Sequence, residues 1–74
     1  MATVKVKKKY YDFGRKLSLL RSLHKATQEQ IAEKADISLQ YYQSLEQGEK
    51  MAAYPTLVKL KKALQAKSWD EILP

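Results

Sequence analysis

Seventy-four residues are enough for one domain with a small core; with no metal set or disulfide in view, pairing with a second copy is the expected supplement. The absence of cysteine excludes disulfides, thiolate zinc sites and cysteine nucleophiles and fits a reducing compartment, and no apolar run is long enough for a signal peptide or a membrane span, so a cytoplasmic protein with no membrane partner is expected. The net charge of +6 is unevenly placed, at +7 over residues 1–25, −3 over 26–50 and +2 over 51–74, so either a polyanionic partner is gripped from the flanks or the charge serves only solubility.

Residues 1–9 carry lysines at 5, 7, 8 and 9 and too little apolar surface to pack, which predicts a flexible basic arm ahead of a domain at 10–74. From Asp12, read as an N-cap, Phe13, Leu17, Leu20 and His24 recur at helical spacing beside Leu19 and Leu23, predicting a first helix. Thr27-Gln28-Glu29-Gln30 fits a capping box, in which the hydroxyl and the glutamine amide satisfy each other's free backbone N–H groups; it opens a second helix over about 28–35. Asp36 stands where the chain must turn through left-handed backbone, and Ile37 is expected to plug the core. Ser38 caps a third helix over about 39–46, with Tyr42 and Leu45 on its apolar face and Gly48 at the C′ position that ends it. Pro55 presets a fourth, whose stripe of Leu57, Leu60 and Leu64 lies opposite Lys59, Lys61 and Lys62. Ser68-Trp69-Asp70-Glu71 reads as a second capping box, opening a last short helix with Ile72 and Leu73. The fold class is therefore all-α, with five helices.

Two short capped helices joined by about three residues, at 27–46, have the form of a helix-turn-helix. On "FGRKLSLLRSLHKATQEQIAEKADISLQYYQSLEQG", residues 13–48, the chain resembles the phage repressor and Cro-type (XRE-like) helix-turn-helix family, matching its F-G-x-x-L-x-x-x-R, T/S-Q-x-x-L/I-A and I/L-E-x-G elements without a gap. The resemblance implies a compact lambda-repressor-like domain that binds double-stranded DNA as a homodimer and regulates transcription, commonly as a repressor, with no cofactor. It places Leu39, Gln40, Gln43 and Ser44 on the face turned toward base edges. It puts Gln28 and Tyr41 at the phosphate backbone, Gln28 also bracing the third helix, and makes Arg21 and Glu46 a structural salt bridge.

The chemistry of these side chains agrees. A glutamine amide offers adenine a donor and an acceptor, serine pairs with several bases, and leucine meets a thymine methyl. The segment "ADISLQYYQSLEQG" has no lysine or arginine, as suits a base-reading element whose flanks neutralise phosphates; Lys7, Lys8, Lys9 and Lys50, with Lys16 and Lys25, are the candidates for that. Where the family carries glycine this chain has Lys25 and Asp36, and alanine replaces leucine at 26, so a looser joint after the first helix is expected. Glu49 stands where a lysine is common, which is expected to weaken phosphate binding.

Other readings of the same residues stand beside these. His24, the sole histidine, has no second ligand for a metal. No nucleophile triad, paired carboxylates or phosphate loop supports an enzyme. Trp69, Ile72 and Leu73 close the monomer core, form a two-fold interface, or do both. The rival to a DNA reader is a protein-interaction module on the same scaffold, with only non-specific DNA affinity. Antitoxins belong to the same family resemblance, so a protein partner such as a toxin stays open.

Overall fold

The computed structural model describes residues 9–73. Four α-helices, α1 Tyr11–Leu23, α2 Gln28–Lys34, α3 Leu39–Glu46 and α4 Tyr54–Ala63, are followed by a 3-10 helix, Trp69–Glu71. Among the described residues there is no strand, and no helix is long and apolar enough to cross a membrane. The core takes Phe13, Leu17 and Leu20 from α1, Ile31 and Ala32 from α2, Tyr42 and Leu45 from α3, and Leu57 and Leu60 from α4. Leu64 and Ile72, both fully buried, close it.

The two middle helices start where local chemistry puts them. Thr27 accepts from the Gln30 N–H at 3.0 Å while the Gln30 side chain accepts from the Thr27 N–H at 2.9 Å, and Ser38 accepts from the Tyr41 N–H at 3.0 Å. α1 begins otherwise. Its N-cap is Tyr10, which makes no side-chain cap, and Asp12 lies inside the first turn, where it complements the helix dipole. A tertiary bond sets this start: the Tyr10 N–H donates to the Gly48 carbonyl at 3.2 Å, tying the entry of α1 to the exit of α3.

All four helices end in the same hydrogen-bonded closure, in which the C″ N–H donates to the third-last helical carbonyl and the C′ N–H to the second-last. The C″ donors are Ala26 to Arg21, Ile37 to Ala32, Glu49 to Ser44 and Ala66 to Lys61. Each motif needs left-handed backbone at C′, yet three of the four positions are not glycine: Lys25 (φ 56), Asp36 (φ 57) and Gln65 (φ 56). The joint after α1 is therefore closed rather than loose, and Arg21 Nη1 adds a bond to the Ala26 carbonyl at 3.0 Å. Gly48 (φ 80) has a second reason to be glycine, since a Cβ there would stand 2.9 Å from the Tyr11 Cα. Gln65 is exposed; relieving left-handed strain of about 1–2 kcal/mol against a glycine entropy cost of about 0.5–1, Gln65→Gly is expected to stabilise the fold by roughly 0.5–1 kcal/mol in urea denaturation.

The C-terminal segment departs from the expected fifth helix. It is a single 3-10 turn, and Ser68 makes no side-chain cap. The Glu71 carboxylate instead accepts from the Lys67 N–H, one residue earlier, at 3.1 Å. Lys16 Nζ donates to the carbonyls of Asp70 and Leu73, at 2.9 and 2.5 Å, and so occupies acceptors that a longer helix would use. Ile37, expected as a core plug, is half-buried against the core edge.

Candidate nucleic-acid interface

α3 is held between α1 and α2, and the exposed side it keeps is concave. Ser38, Gln40, Tyr41, Gln43, Ser44, Gln47, Glu49 and Lys50 line that concavity. Gln40 and Lys50 are exposed; Tyr41, Gln43 and Ser44 are half-buried. Leu39, half-buried at the first turn of α3, does not line it. Ser38 and Gln47 do, although the sequence pattern marked Ser38 only as a cap and Gln47 not at all. Each sits one step beyond the helix bounds, where a 3.6-residue period no longer assigns a face.

Behind this surface lies a polar chain that spans three helices. Arg21 on α1 meets Glu46 at the end of α3 through two bonds, Nε to Oε2 at 2.6 Å and Nη2 to Oε1 at 3.2 Å. Gln28 at the start of α2 donates its Nε2 to Glu46 Oε1 at 2.9 Å, and Gln43 donates its Nε2 to Gln28 Oε1 at 3.1 Å. The carboxylate gives the chain its direction. Since Glu46 can only accept, Gln28 must present its NH₂ to it, which leaves the Gln28 oxygen to face Gln43 and obliges Gln43 to present its own NH₂ in turn. Gln43 therefore keeps one oxygen acceptor and one N–H donor for a ligand.

The electrostatics rest on the same carboxylate. Burial alone would raise the Glu46 pKa, but the hydrogen bonds from Arg21 and Gln28 and the nearby Tyr42 hydroxyl outweigh it and hold the carboxyl below its usual range. The bonded carboxylate in turn raises the Arg21 pKa. Tyr42 is fully buried, and its hydroxyl makes no well-formed hydrogen bond. Burial, reinforced by Glu46, pushes its pKa far up, so it stays neutral.

The other expected contacts divide. The Ser44 hydroxyl donates to the Tyr41 carbonyl at 2.6 Å, so only its lone pairs remain for a base. Lys50 Nζ sits 5.7 Å from the centre of the Tyr41 ring, which places a cation and an aromatic hydroxyl side by side at the rim. Lys9 is exposed, 5.6 Å from the Tyr10 ring; Lys7 and Lys8 lie outside the described residues. Lys16 is spent on the C-terminal carbonyls and leaves the phosphate set. Ile72 is fully buried in its own chain's core and has no surface to give a partner, whereas Trp69 and Leu73 keep part of theirs. Trp69 packs on Tyr54 with ring centres 6.0 Å apart, and Lys61 Nζ lies 5.6 Å from its ring centre. No group of residues suited to a metal ion occurs among the described residues.

Comparison with known proteins agrees with this geometry. The sequence pattern of a family described as helix-turn-helix matches residues 17–72. Two solved structures superpose on most of the chain. The restriction-modification controller protein C.AhdI from Aeromonas hydrophila is 25% identical, with a TM-score of 0.80 over 86% of this chain and 96% of that one. The clp gene regulator ClgR from C. glutamicum is also 25% identical, with a TM-score of 0.76 over 90% of this chain and 86% of that one. A search of curated proteins returns no significant match.

Proposed function

Since the chain belongs to the helix-turn-helix family, we propose that it is a DNA-binding regulator of transcription that reads a palindromic operator as a homodimer, its simplest mode being repression by occupancy. The solved relatives named as a controller protein and a gene regulator support regulation as its role. The observation that carries base reading is the directed chain Glu46–Gln28–Gln43. It leaves the Gln43 amide with one acceptor and one donor, the complement of the adenine N6 and N7 edge in the major groove. Gln40, exposed at the front of α3, would read a neighbouring base, and Ser44 would accept from an amino group such as that of cytosine. Lys50 with Tyr41, Gln28 at the start of α2, and the basic arm including Lys7, Lys8 and Lys9 would hold phosphates and set the register. In a two-fold dimer two copies of α3 would enter successive major grooves about 34 Å apart.

Selection of bound duplexes from a random library at near-physiological salt tests this directly. A palindrome with half-sites one helical turn apart is expected. On the selected site Gln43→Ala and Gln40→Ala should each cost about 1–3 kcal/mol and almost nothing on random DNA, while Lys50→Ala should weaken both and lower the salt slope by about one. Equal losses from the glutamine variants on both kinds of DNA would remove the base-reading assignment and favour a module with non-specific affinity only.

A further inference from the structure

Glu46 does not line the concavity of α3, and its side chain is only 7% exposed, so it is not placed to touch a base itself. Its oxygens accept three bonds, from Arg21 Nε at 2.6 Å, Arg21 Nη2 at 3.2 Å and Gln28 Nε2 at 2.9 Å. Only the last leads outward, through Gln28 to Gln43 in the wall of the concavity. We propose that Glu46 is a specificity-determining residue acting from behind this surface: by fixing the direction of the hydrogen-bond chain, it makes Gln43 select bases that carry an amino group over bases that carry a keto oxygen. The inference rests on the base reading proposed above and assigns what sets its preference.

A glutamine amide reads differently from its two ends. With the oxygen outward it accepts from the amino group of adenine or cytosine; with the NH₂ outward it donates to the keto oxygen of guanine or thymine. A half-turn of the amide exchanges the two ends without moving the side-chain carbons, and the chain behind Gln43 removes that choice. A flipped Gln28 would set its oxygen against the carboxylate at 2.9 Å, and a flipped Gln43 would set its oxygen against that of Gln28 at 3.1 Å. Either change opposes two acceptors. The first link holds because, although burial opposes it, the donors around Glu46 keep the carboxyl ionised, with no proton to give.

Glu46→Gln has nearly the same shape and should run the chain backward. An amide nitrogen in place of Oε2 would forfeit the 2.6 Å bond from Arg21 Nε; in place of Oε1 it forfeits only the 3.2 Å bond from Nη2. The second placement is therefore preferred, and it turns an N–H toward Gln28. Gln28 then gives its oxygen to the new donor and its NH₂ to Gln43, which accepts with its oxygen and presents its own NH₂ outward.

Selection of duplexes from a random library by the full-length wild type and by Glu46→Gln, each below its melting range, tests the assignment. The position read by Gln43 is the one whose preference Gln43→Ala relaxes. There the wild type is expected to select adenine or cytosine and Glu46→Gln to select guanine or thymine, the relative affinity for the two duplexes moving about ten- to hundredfold. Adding Gln43→Ala to Glu46→Gln should abolish the new preference, which a change in fold stability alone would not do. Gln28→Leu keeps the Arg21–Glu46 pair and serves if Glu46→Gln folds poorly: with the link cut, Gln43 is free to turn, and the two base classes should bind nearly equally at that position. An unchanged base preference in Glu46→Gln or in Gln28→Leu overturns the role of Glu46 and leaves base reading by Gln43 intact. If Gln43→Ala relaxes no position of the wild-type site, base reading fails and the role of Glu46 fails with it.

Discussion

Gly14→Ala is expected to lower the melting temperature by about 10 °C or more, the opposite of what a helix-interior glycine usually does when replaced. In an exposed helix the change gains roughly 1 kcal/mol, because alanine is the better helix former. At Gly14 a Cβ would stand 2.3 Å from the Glu46 carbonyl oxygen, 2.6 Å from that of Leu45 and 2.8 Å from the Glu46 carbonyl carbon. All three are backbone atoms, so no side chain can swing aside. α1 and α3 must part by about 1 Å to approach ordinary van der Waals separation. Overpacking costs typically about 1–3 kcal/mol and more where nothing can yield; less the helix gain, a net loss of about 2 kcal/mol or more follows. At about 4–8 °C per kcal/mol in a domain of this size, calorimetry resolves the sign easily. The displaced contact is the one that seats α3 beside Gln28. Operator affinity measured below the melting range should therefore fall as well, which a purely local packing defect would not do. An unchanged or raised melting temperature would mean that the two helices are not as close as they stand here.

What the sequence made legible follows from how far each interaction reaches. α2 and α3 began and ended as expected because their signals are local: Thr27 with Gln30, Ser38, and the glycine at 48 lie within one turn of the boundary they set. The start of α1 was misplaced because its determinant, the Tyr10 bond to Gly48, is tertiary, and Asp12 offered a plausible local substitute. The last helix was overextended because Lys16, which holds its carbonyls, stands more than fifty residues away in the chain. The left-handed C′ position at Gln65 carried no signal at all, since neither glycine nor asparagine marks it.

The site was legible unevenly for the same reason. Periodicity identifies Tyr42 and Leu45 as core and so leaves the opposite side of α3 to solvent, but it says nothing of which amide atom faces outward. That orientation comes from a carboxylate on the far side of Gln28, and only the folded arrangement of α1, α2 and α3 supplies it. Lys16 failed as a phosphate candidate on the same ground, because residue type reveals a cation but not the carbonyls that already hold it.

Arg21→Ala should expose how much of the domain depends on that carboxylate. The variant removes both bonds to Glu46 and the bond to the Ala26 carbonyl, and leaves a carboxylate whose side chain is only 7% exposed. Breaking a buried pair by deleting one partner costs about 3–5 kcal/mol; with the arginine itself 20% exposed, so that water can follow into its place, about 2–4 kcal/mol is expected here. Out of a total of roughly 5–15 kcal/mol, this is a large share. The pH dependence separates this cause from simple loss of arginine packing. In the wild type the folded Glu46 pKa is depressed, so the folded state binds fewer protons than the unfolded one. Its contribution is complete above the unfolded glutamate value of about 4.3 and is lost as pH falls through the lower folded value. Without Arg21 the largest remaining influence is burial, which raises the pKa. Protonation then relieves the folded state, and the penalty should shrink as the pH falls. Urea denaturation of both proteins between about pH 3 and 6 should thus show their stabilities converging on the acid side. Curves that stay parallel across that range would assign the loss to packing and deny Glu46 its charge-dependent hold on α3.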